Sequence, residues 1–512
     1  MTNEVQDKPL IEAKPLILVT GATGYIGGRL VPRLIAAGYR VRAAGRSLDK
    51  LRSRDWANSP NVELAEVDLR DRDSITAACA GCSSAFYLVH SMNPSAADFA
   101  AADRTAAENM VAAAEHAGLK RMIYLGGLGE ASEDLSKHLR SRAEVGTILR
   151  GSSVPVTILR AGMIIGSGSA SFEILRYLVE RLPIMITPRW IETPSQPIAV
   201  RNVLHYLIAC LSVDETIGRI LDIGGPEVIT YRKLMELYAE EAHIKKRLVV
   251  PVPVFTPRLS SYWIHYVTPV PSYIARPLAE GLRNPALCQN NDIQALIPQT
   301  LVSCRDAIAW AIEKREHHGV ETHWSDAGRI TPAELPVPGD PAWAGGACYQ
   351  DSRRIIVESP VDLMWERIIR IGGTTGWYYA NWLWMIRGLM DRMVGGVGLG
   401  RGRRDELVLR PGDFVDFWRV VAIEPNKRLL LSAEMKLPGK ALLEFSVRQL
   451  PDGKTEISQI ATYVPKGLPG LLYWWAVTPL HNFVFAGMLR GIATADGSKI
   501  ARGPERIPVG QG

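Results

Sequence analysis

Cysteine is scarce, six residues in 512, and the six are spread too widely to frame a disulfide scaffold. Cys79-Ala-Gly-Cys82 is the one close pair, and no second pair completes a four-ligand zinc site, so it reads as structural and no metal is expected. Charge of one sign is also missing. The excess is +6 over the whole chain and the basic residues are scattered, which excludes a nucleic-acid partner. Residues 1–14 are polar and carry no apolar export core, so the expected compartment is the cytoplasm. Only one uncharged run, 467–489, is long enough to span a bilayer, and Pro469, Pro479, His481 and Asn482 argue against a span. Peripheral membrane contact through that run stays open.

What is present begins with Leu16-Ile-Leu-Val-Thr-Gly-Ala-Thr-Gly-Tyr-Ile-Gly-Gly-Arg-Leu30. An apolar strand stops at Thr20, glycines follow at Gly21, Gly24 and Gly27, and apolar positions recur at Ile26, Leu30 and Leu34, which reads strand, tight turn, helix. Gly21 permits the turn, Gly24 lets backbone N–H groups approach a phosphate, and Gly27 brings helix against strand, so a pyrophosphate sits at the helix N-terminus. Expected cofactor contacts are Thr20, Gly21, Thr23, Gly24, Tyr25, Ile26 and Gly27. Pro32 falls inside the helix and should kink it.

A second strand, Arg40–Ala44, ends at Gly45-Arg46, with no acid until Asp49. An arginine there suits a ribose 2′-phosphate, so NADP(H) is favoured over NAD(H). A third strand ends at Asp68-Leu69, placed for the adenine, and a fourth exits through Val89-His90 into the cleft. Strands alternate with helices to Leu125, which implies an α/β doubly wound parallel sheet with ligands beyond the strands' carboxyl ends.

These pieces together resemble the extended and atypical branch of the short-chain dehydrogenase/reductase superfamily, close to its NmrA-like and complex I accessory-subunit relatives. The matching segments are Thr20–Gly27, Val67–Leu69, Tyr87–Met92, Leu159–Gly162 and Asp222–Pro226, covering about 14–310. The resemblance implies a catalytic tyrosine, a lysine four residues later and a serine at the end of strand five. Here His138 falls at the tyrosine, Arg142 at the lysine, and Gly126-Gly127 at the serine. Spaced i, i+4, His138 and Arg142 share a helix face. They read either as a substitute acid pair, in which the arginine lowers the histidine pKa, or as a solvent-facing pair.

From Gly319 to Gly346 prolines interrupt every period, and the stretch reads as a linker. His317, His318 and His323 with Glu316, Glu321 and Asp326 lack the spacing of a known metal site. Residues 347–495 alternate apolar and polar positions, as in Leu443, Phe445 and Val447 against Glu444, Ser446 and Arg448, which predicts an antiparallel sheet with one buried face. Strands are expected at Arg353–Glu358, Asp405–Leu409, Phe414–Ile423, Arg428–Lys436, Ala441–Leu450 and Thr455–Tyr463, and the run from Gly467 as a long helix over the sheet. That arrangement resembles the START-like (SRPBCC) helix-grip superfamily, whose members hold hydrophobic ligands. On that resemblance Trp418, Phe445, Tyr473, Trp474, Trp475, His481 and Phe485 are candidates for a cavity wall.

The expected organisation is a tail at 1–13, a dinucleotide domain with a small substrate lobe at 14–318, a linker at 319–346, a helix-grip domain at 347–495 and a tail at 496–512. The expected function is an NADPH-dependent oxidoreductase acting on a small hydrophobic molecule, a carbonyl, quinone or isoprenoid-like compound. The alternatives are a non-catalytic NADP(H)-binding sensor or assembly factor, and a lipid carrier.

Overall fold

In the computed structural model, residues 15–89, 99–128, 137–252, 267–281, 284–317, 333–334, 337, 340–341, 344–393, 395–396, 398, 403 and 408–507 are described. They form two compact units. One combines residues up to Arg315 with those of Gly328–Gly346, and the other is built from Ala347 onward.

The first unit alternates β1 (Leu16–Thr20), α1 (Tyr25–Ala36), β2 (Arg40–Gly45), α2 (Leu48–Arg52), β3 (Val62–Glu66), α3 (Arg72–Cys79), β4 (Ser84–Tyr87), α4 (Phe99–Ala117), β5 (Arg121–Gly127), α5 (Lys137–Arg150) and β6 (Val156–Ala161). It continues through α6 (Ala170–Arg181), α7 (Val200–Ala209), β7 (Ile220–Ile223), α8 (Tyr231–Glu241), α9 (Ser272–Gly281), α10 (Asp292–Leu296) and α11 (Cys304–His317). The seven strands pair in parallel in the order β7-β6-β5-β4-β1-β2-β3. A strand buried on both faces sends alternate side chains to opposite cores. Ile17, Val19, Ile123 and Leu159 enter one cluster, while Leu16, Leu18, Met122 and Ile158 enter the other.

Pro32 does not end α1. Lacking an N–H, it leaves the Gly28 carbonyl without its helical donor, and the Trp56 indole donates to that oxygen at 3.2 Å. Two of the matching segments explain one another: Arg160 of Leu159–Gly162 pairs at 2.7 Å with buried Asp222 of Asp222–Pro226, across the β6–β7 ladder. The small lobe has its own core around Phe172, Leu175, Leu234 and Tyr238. Thr230 caps α8 by accepting from the Lys233 N–H at 3.2 Å.

The linker reading needs correction where it can be followed. Glu334 and Asp340 are not solvated spacer residues. Asp340 pairs at 2.7 Å with Arg29, whose side chain is fully buried and also donates to the carbonyls of Ala333 and Ser167. Buried Glu334 accepts from Arg201 at 2.9 Å, and Glu173 of α6 accepts from the Gly345 N–H at 3.0 Å. Proline spacing hides such ties because each is made with residues far away in the chain. Residues 318–332, with His318, His323 and Asp326, lie outside the described residues, as does 1–13.

The second unit contains β8 (Tyr349–Val357), α12 (Val361–Ile369), α13 (Asn381–Met393), β9 (Phe414–Val415), β10 (Trp418–Glu424), β11 (Arg428–Ala433), β12 (Gly439–Gln449), β13 (Thr455–Pro465), α14 (Gly467–Thr494) and β14 (Ile500–Arg506). The strands form an antiparallel sheet ordered β9-β10-β11-β12-β13-β8-β14. Leu429, Leu431, Leu443, Phe445 and Ile457 fill its buried face, on the expected alternation. The strand expected at Phe414–Ile423 is split at Asp416, whose φ of 57° turns the chain while its carboxylate accepts from the Trp377 indole at 2.8 Å. Most of the strand expected at Asp405–Leu409 lies outside the described residues. Nor does the chain trail off after residue 495. β14 pairs with β8 and joins it through an Arg354–Glu505 ion pair of 2.7 Å; Pro504, which cannot donate to a ladder, disguises this edge strand in the sequence. α14 is continuous through Pro479. Among the described residues no helix is long and apolar enough to cross a membrane.

Candidate functional site

At the β1–α1 junction Gly21 has φ 70°, and a Cβ there would lie 2.9 Å from the Leu88 carbonyl oxygen. The Gly24 N–H donates to the Gly21 oxygen at 2.9 Å and closes the turn. Gly27 lies so near that turn that a Cβ would fall 2.3 Å from the same oxygen, which accounts for the third glycine. Gly24 is the N-cap of α1 and no side chain caps it. The first-turn N–H groups therefore have no intrahelical partner and face the positive end of the helix dipole. A Cβ at exposed Gly24 would meet only the Gly21 oxygen, at 3.1 Å, so the outer side of the turn is open to a ligand.

That turn forms one wall of a cleft of ≈ 410 Å³. Of the residues named as cofactor contacts, Gly24, Tyr25, Ile26, Gly27 and Val89 line it, and Thr20, Gly21, Thr23, Arg46, Asp68 and Leu69 do not. Thr20 is buried, and its hydroxyl donates to the Phe86 carbonyl at 3.0 Å while accepting from the Leu88 N–H, bracing β1 to β4 where the strands part. Arg46 is exposed at the end of β2. It lies near enough to Asp68 to help hold that carboxyl below its usual range, although the main cause is the hydrogen bond from the Arg70 side chain at 2.6 Å. Leu69 is core, and its carbonyl accepts from Asn109 at 2.9 Å. His90 lies outside the described residues.

Of the proposed acid pair, the His138 side chain also lies outside them. Arg142 does line the cleft, but it is tethered rather than free: Nη2 donates to the Leu125 carbonyl at the end of β5, and Nε is buried with no partner among the described groups. Opposite the glycine turn the cleft meets a second helix start, Ser169, Ala170 and Ser171 of α6, again with no side-chain cap, and Tyr231 at the start of α8. Sequence reading missed these because nothing but fold places them beside the glycines. It also missed buried Arg54, which donates to the Thr23 carbonyl and steadies the turn. The cleft's tyrosines are not pre-activated acids: burial pushes the hydroxyls of Tyr25 and Tyr231 well above the ordinary tyrosine range. Both stay protonated, as neutral hydroxyls that can donate and accept hydrogen bonds. Cys79 and Cys82 are buried, and burial pushes the Cys79 thiol up to about 12, far from a reactive thiolate.

The second unit holds its own cavity, ≈ 390 Å³, between its sheet and the helices α13 and α14. Trp418, Tyr473, Trp474, His481 and Phe485 line it, as the sequence suggested; Phe445 is filled core on the same sheet, and Trp475 points out to solvent. Trp384, Arg387 and Met435 also belong to the wall. Arg387 donates to the Tyr473 hydroxyl, while the indole N–H groups of Trp384 and Trp418 and Nδ1 of His481 are buried with no partner among the described groups. Burial pushes the His481 pKa down to about 4, helped by nearby Arg387, Arg353 and Arg506 and opposed by Asp351, so the ring is neutral at pH 7. The cavity is therefore a mainly apolar box whose lining also carries Arg387, Asp391 and Lys436.

Residues 13–181 match the model of the NmrA-like family, and residues 343–488 match that of a protein of unknown function, DUF2867. The chain is 27% identical over 291 residues to the Arabidopsis thaliana NADH dehydrogenase (ubiquinone) 1 alpha subcomplex subunit 9, mitochondrial, covering 56% of this chain and 70% of that protein. It is 27% identical over 225 residues to the Streptomyces griseus (4-alkanoyl-5-oxo-2,5-dihydrofuran-3-yl)methyl phosphate reductase, covering 43% of this chain and 71% of that one. Among solved structures it is similar to the Citrobacter sp. triphenylmethane reductase complexed with NADP(H), with a TM-score of 0.46, 20% identity, and coverage of 58% of this chain and 99% of that one. Residues 13–181 of the first unit are thus similar to the NmrA-like family, within a parallel sheet. The family model that the second unit matches carries no functional description.

Proposed function

We propose that the first unit binds NADP(H), with the diphosphate on the first-turn N–H groups of α1 and Arg46 toward the ribose 2′-phosphate. The observation that carries this is the uncapped, open N-terminus at Gly24, held on a turn that two further glycines make possible. In this reading the START-like second unit holds a bulky apolar carbonyl, quinone or isoprenoid-like compound in its aromatic cavity, and the protein is an oxidoreductase. The nucleotide, when bound, would supply or accept a hydride. The chain's own residues would orient it: Val89 and Ile26, which line the cleft, would flank it, and the hydroxyls of Ser169 and Ser171 with the α6 N–H groups would offer donors for a substrate oxygen. The Streptomyces relative, a reductase by name, supports this reading.

A second reading, NADP(H) binding without turnover, has its own support. Arg142 is tied to the Leu125 carbonyl, the serine position is Gly126-Gly127, and the cleft tyrosines are raised in pKa rather than lowered. The Arabidopsis relative is by name one subunit of a larger dehydrogenase. One experiment separates the two: NADPH consumption by the full chain against a panel of quinones and apolar enones, with Arg142→Ala and His138→Ala beside it. Substrate-dependent consumption that either variant abolishes supports the reductase. Tight NADPH binding with no consumption for any compound leaves the sensor or assembly role.

A further inference from the structure

Two helices of the second unit expose an apolar face in addition to the one they bury, where an ordinary surface helix presents polar residues to water. On α13, Trp382, Met385, Ile386, Leu389, Met390 and Met393 are 47–72% exposed, and their i, i+3, i+4, i+7, i+8, i+11 spacing puts them on one face. The opposite face, Trp384 and Gly388, is buried. On α14, Leu468, Leu472, Trp475, Leu480 and Phe483 make a second exposed face, on a helix with no charged residue before Arg490. Contiguous apolar surface of this kind marks an interaction site.

The cavity identifies the partner. Ile386, Met390 and Leu480 belong to both sets, exposed to the outside and lining the ≈ 390 Å³ cavity, so its mouth opens within the apolar face and not beside it. An apolar molecule leaving through that mouth passes from one apolar wall to another only if the covering partner is itself fluid hydrocarbon. The charges agree. No acidic side chain of α13 or α14 is exposed: α14 has none, and Asp391 of α13 is buried, accepting from the N–H groups of Lys436 at 2.7 Å and Gly398 at 2.8 Å. Exposed charges next to the mouth are basic. Lys436 lines the cavity, Lys440 adjoins its lining residue Ala441, Arg392 ends α13, and Lys466 precedes α14 with its N–H on the Pro438 carbonyl at 2.8 Å. Apolar and tryptophan side chains on one face with basic residues at its edge form the pattern of a segment lying in the headgroup region of an anionic bilayer.

We infer that α13 and α14 together form a docking surface for an anionic membrane, with the cavity mouth pressed against the lipid. Neither helix crosses; both lie flat. The inference needs no nucleotide and stands apart from the first unit's role.

The test is flotation of the full chain with phosphatidylcholine vesicles and with vesicles containing phosphatidylglycerol. Wild-type protein should float with the anionic vesicles and several-fold less with the neutral ones, and binding should weaken as salt rises. Leu389→Glu with Trp475→Glu should reduce partitioning at least about tenfold, whereas Lys436→Glu with Lys466→Glu should reduce it only on anionic vesicles. All four residues are exposed, so unchanged circular dichroism and melting temperature certify the fold. Absence of flotation on both vesicle types overturns the inference. So does flotation indifferent to the apolar pair, or sedimentation showing a dimer that those same substitutions dissociate.

Discussion

The two hollows in this protein are nearly equal in size, ≈ 410 and ≈ 390 Å³, and opposite in construction. The first is walled by backbone: Gly24, Gly27, Gly126, Gly127, Gly162 and Gly281 all line it. The second has no glycine in its lining and is walled by Trp384, Trp418, Tyr463, Tyr473 and Trp474. Backbone amides select ligands that carry oxygen and negative charge, and stacked side chains select bulk and apolarity. Volume therefore says little about what a cavity takes, and the material of its wall says much.

The contrast can be broken most forcefully at Trp384, stacked at 4.7 Å on Trp377. Trp384→Ala should cost about 3–5 kcal/mol of stability in the second unit, read in denaturant melts, while NADPH affinity stays at the wild-type value. If nucleotide binding falls with it, the two hollows are not independent.

His481 gives a pH signature that only the second unit should have. Its folded pKa of about 4 lies below the ordinary 6.5, so the unfolded chain takes up the proton first. Stability is then fully present above pH 6.5 and declines as pH falls toward 4, by roughly 3 kcal/mol in all. His481→Phe should flatten that decline in urea titrations between pH 7 and 4.

Gly24→Asp places a carboxylate where a diphosphate is proposed to sit. NADPH affinity should drop about a hundredfold or more by calorimetry, with the melting of the second unit unmoved. The smallest effect sharpens the comparison within the first hollow. Arg46→Ala should weaken NADPH about tenfold and leave NADH unchanged, since only the 2′-phosphate loses a charged partner.

How much of this could be read beforehand follows the same division. The glycine turn was legible because φ 70° at Gly21 and the close approach at Gly27 are demands that only one residue type meets, and they leave a fixed spacing in the chain. The sheet of the second unit was legible because Leu443, Phe445 and Val447 alternate strictly. Arg142 was found by its position, but its tether to Leu125 was not, since helix spacing says nothing about what a guanidinium reaches. The face of α13 was hidden in an aromatic run in which Trp377 and Trp384 are core and Trp382 is exposed; only the helix phase sorts them. β14 escaped because its edge position permits a proline and leaves most of its side chains exposed.

The Arg29–Asp340 pair has a practical corollary for anyone who would express the dinucleotide module alone. Trimming the gene where the composition changes, near codon 318, removes Asp340 and the Ala333 carbonyl and strands a desolvated guanidinium against the helix that carries the glycine turn. Such a fragment should be recovered insoluble, whereas one continued through Gly346 keeps its counter-ion and should be tractable.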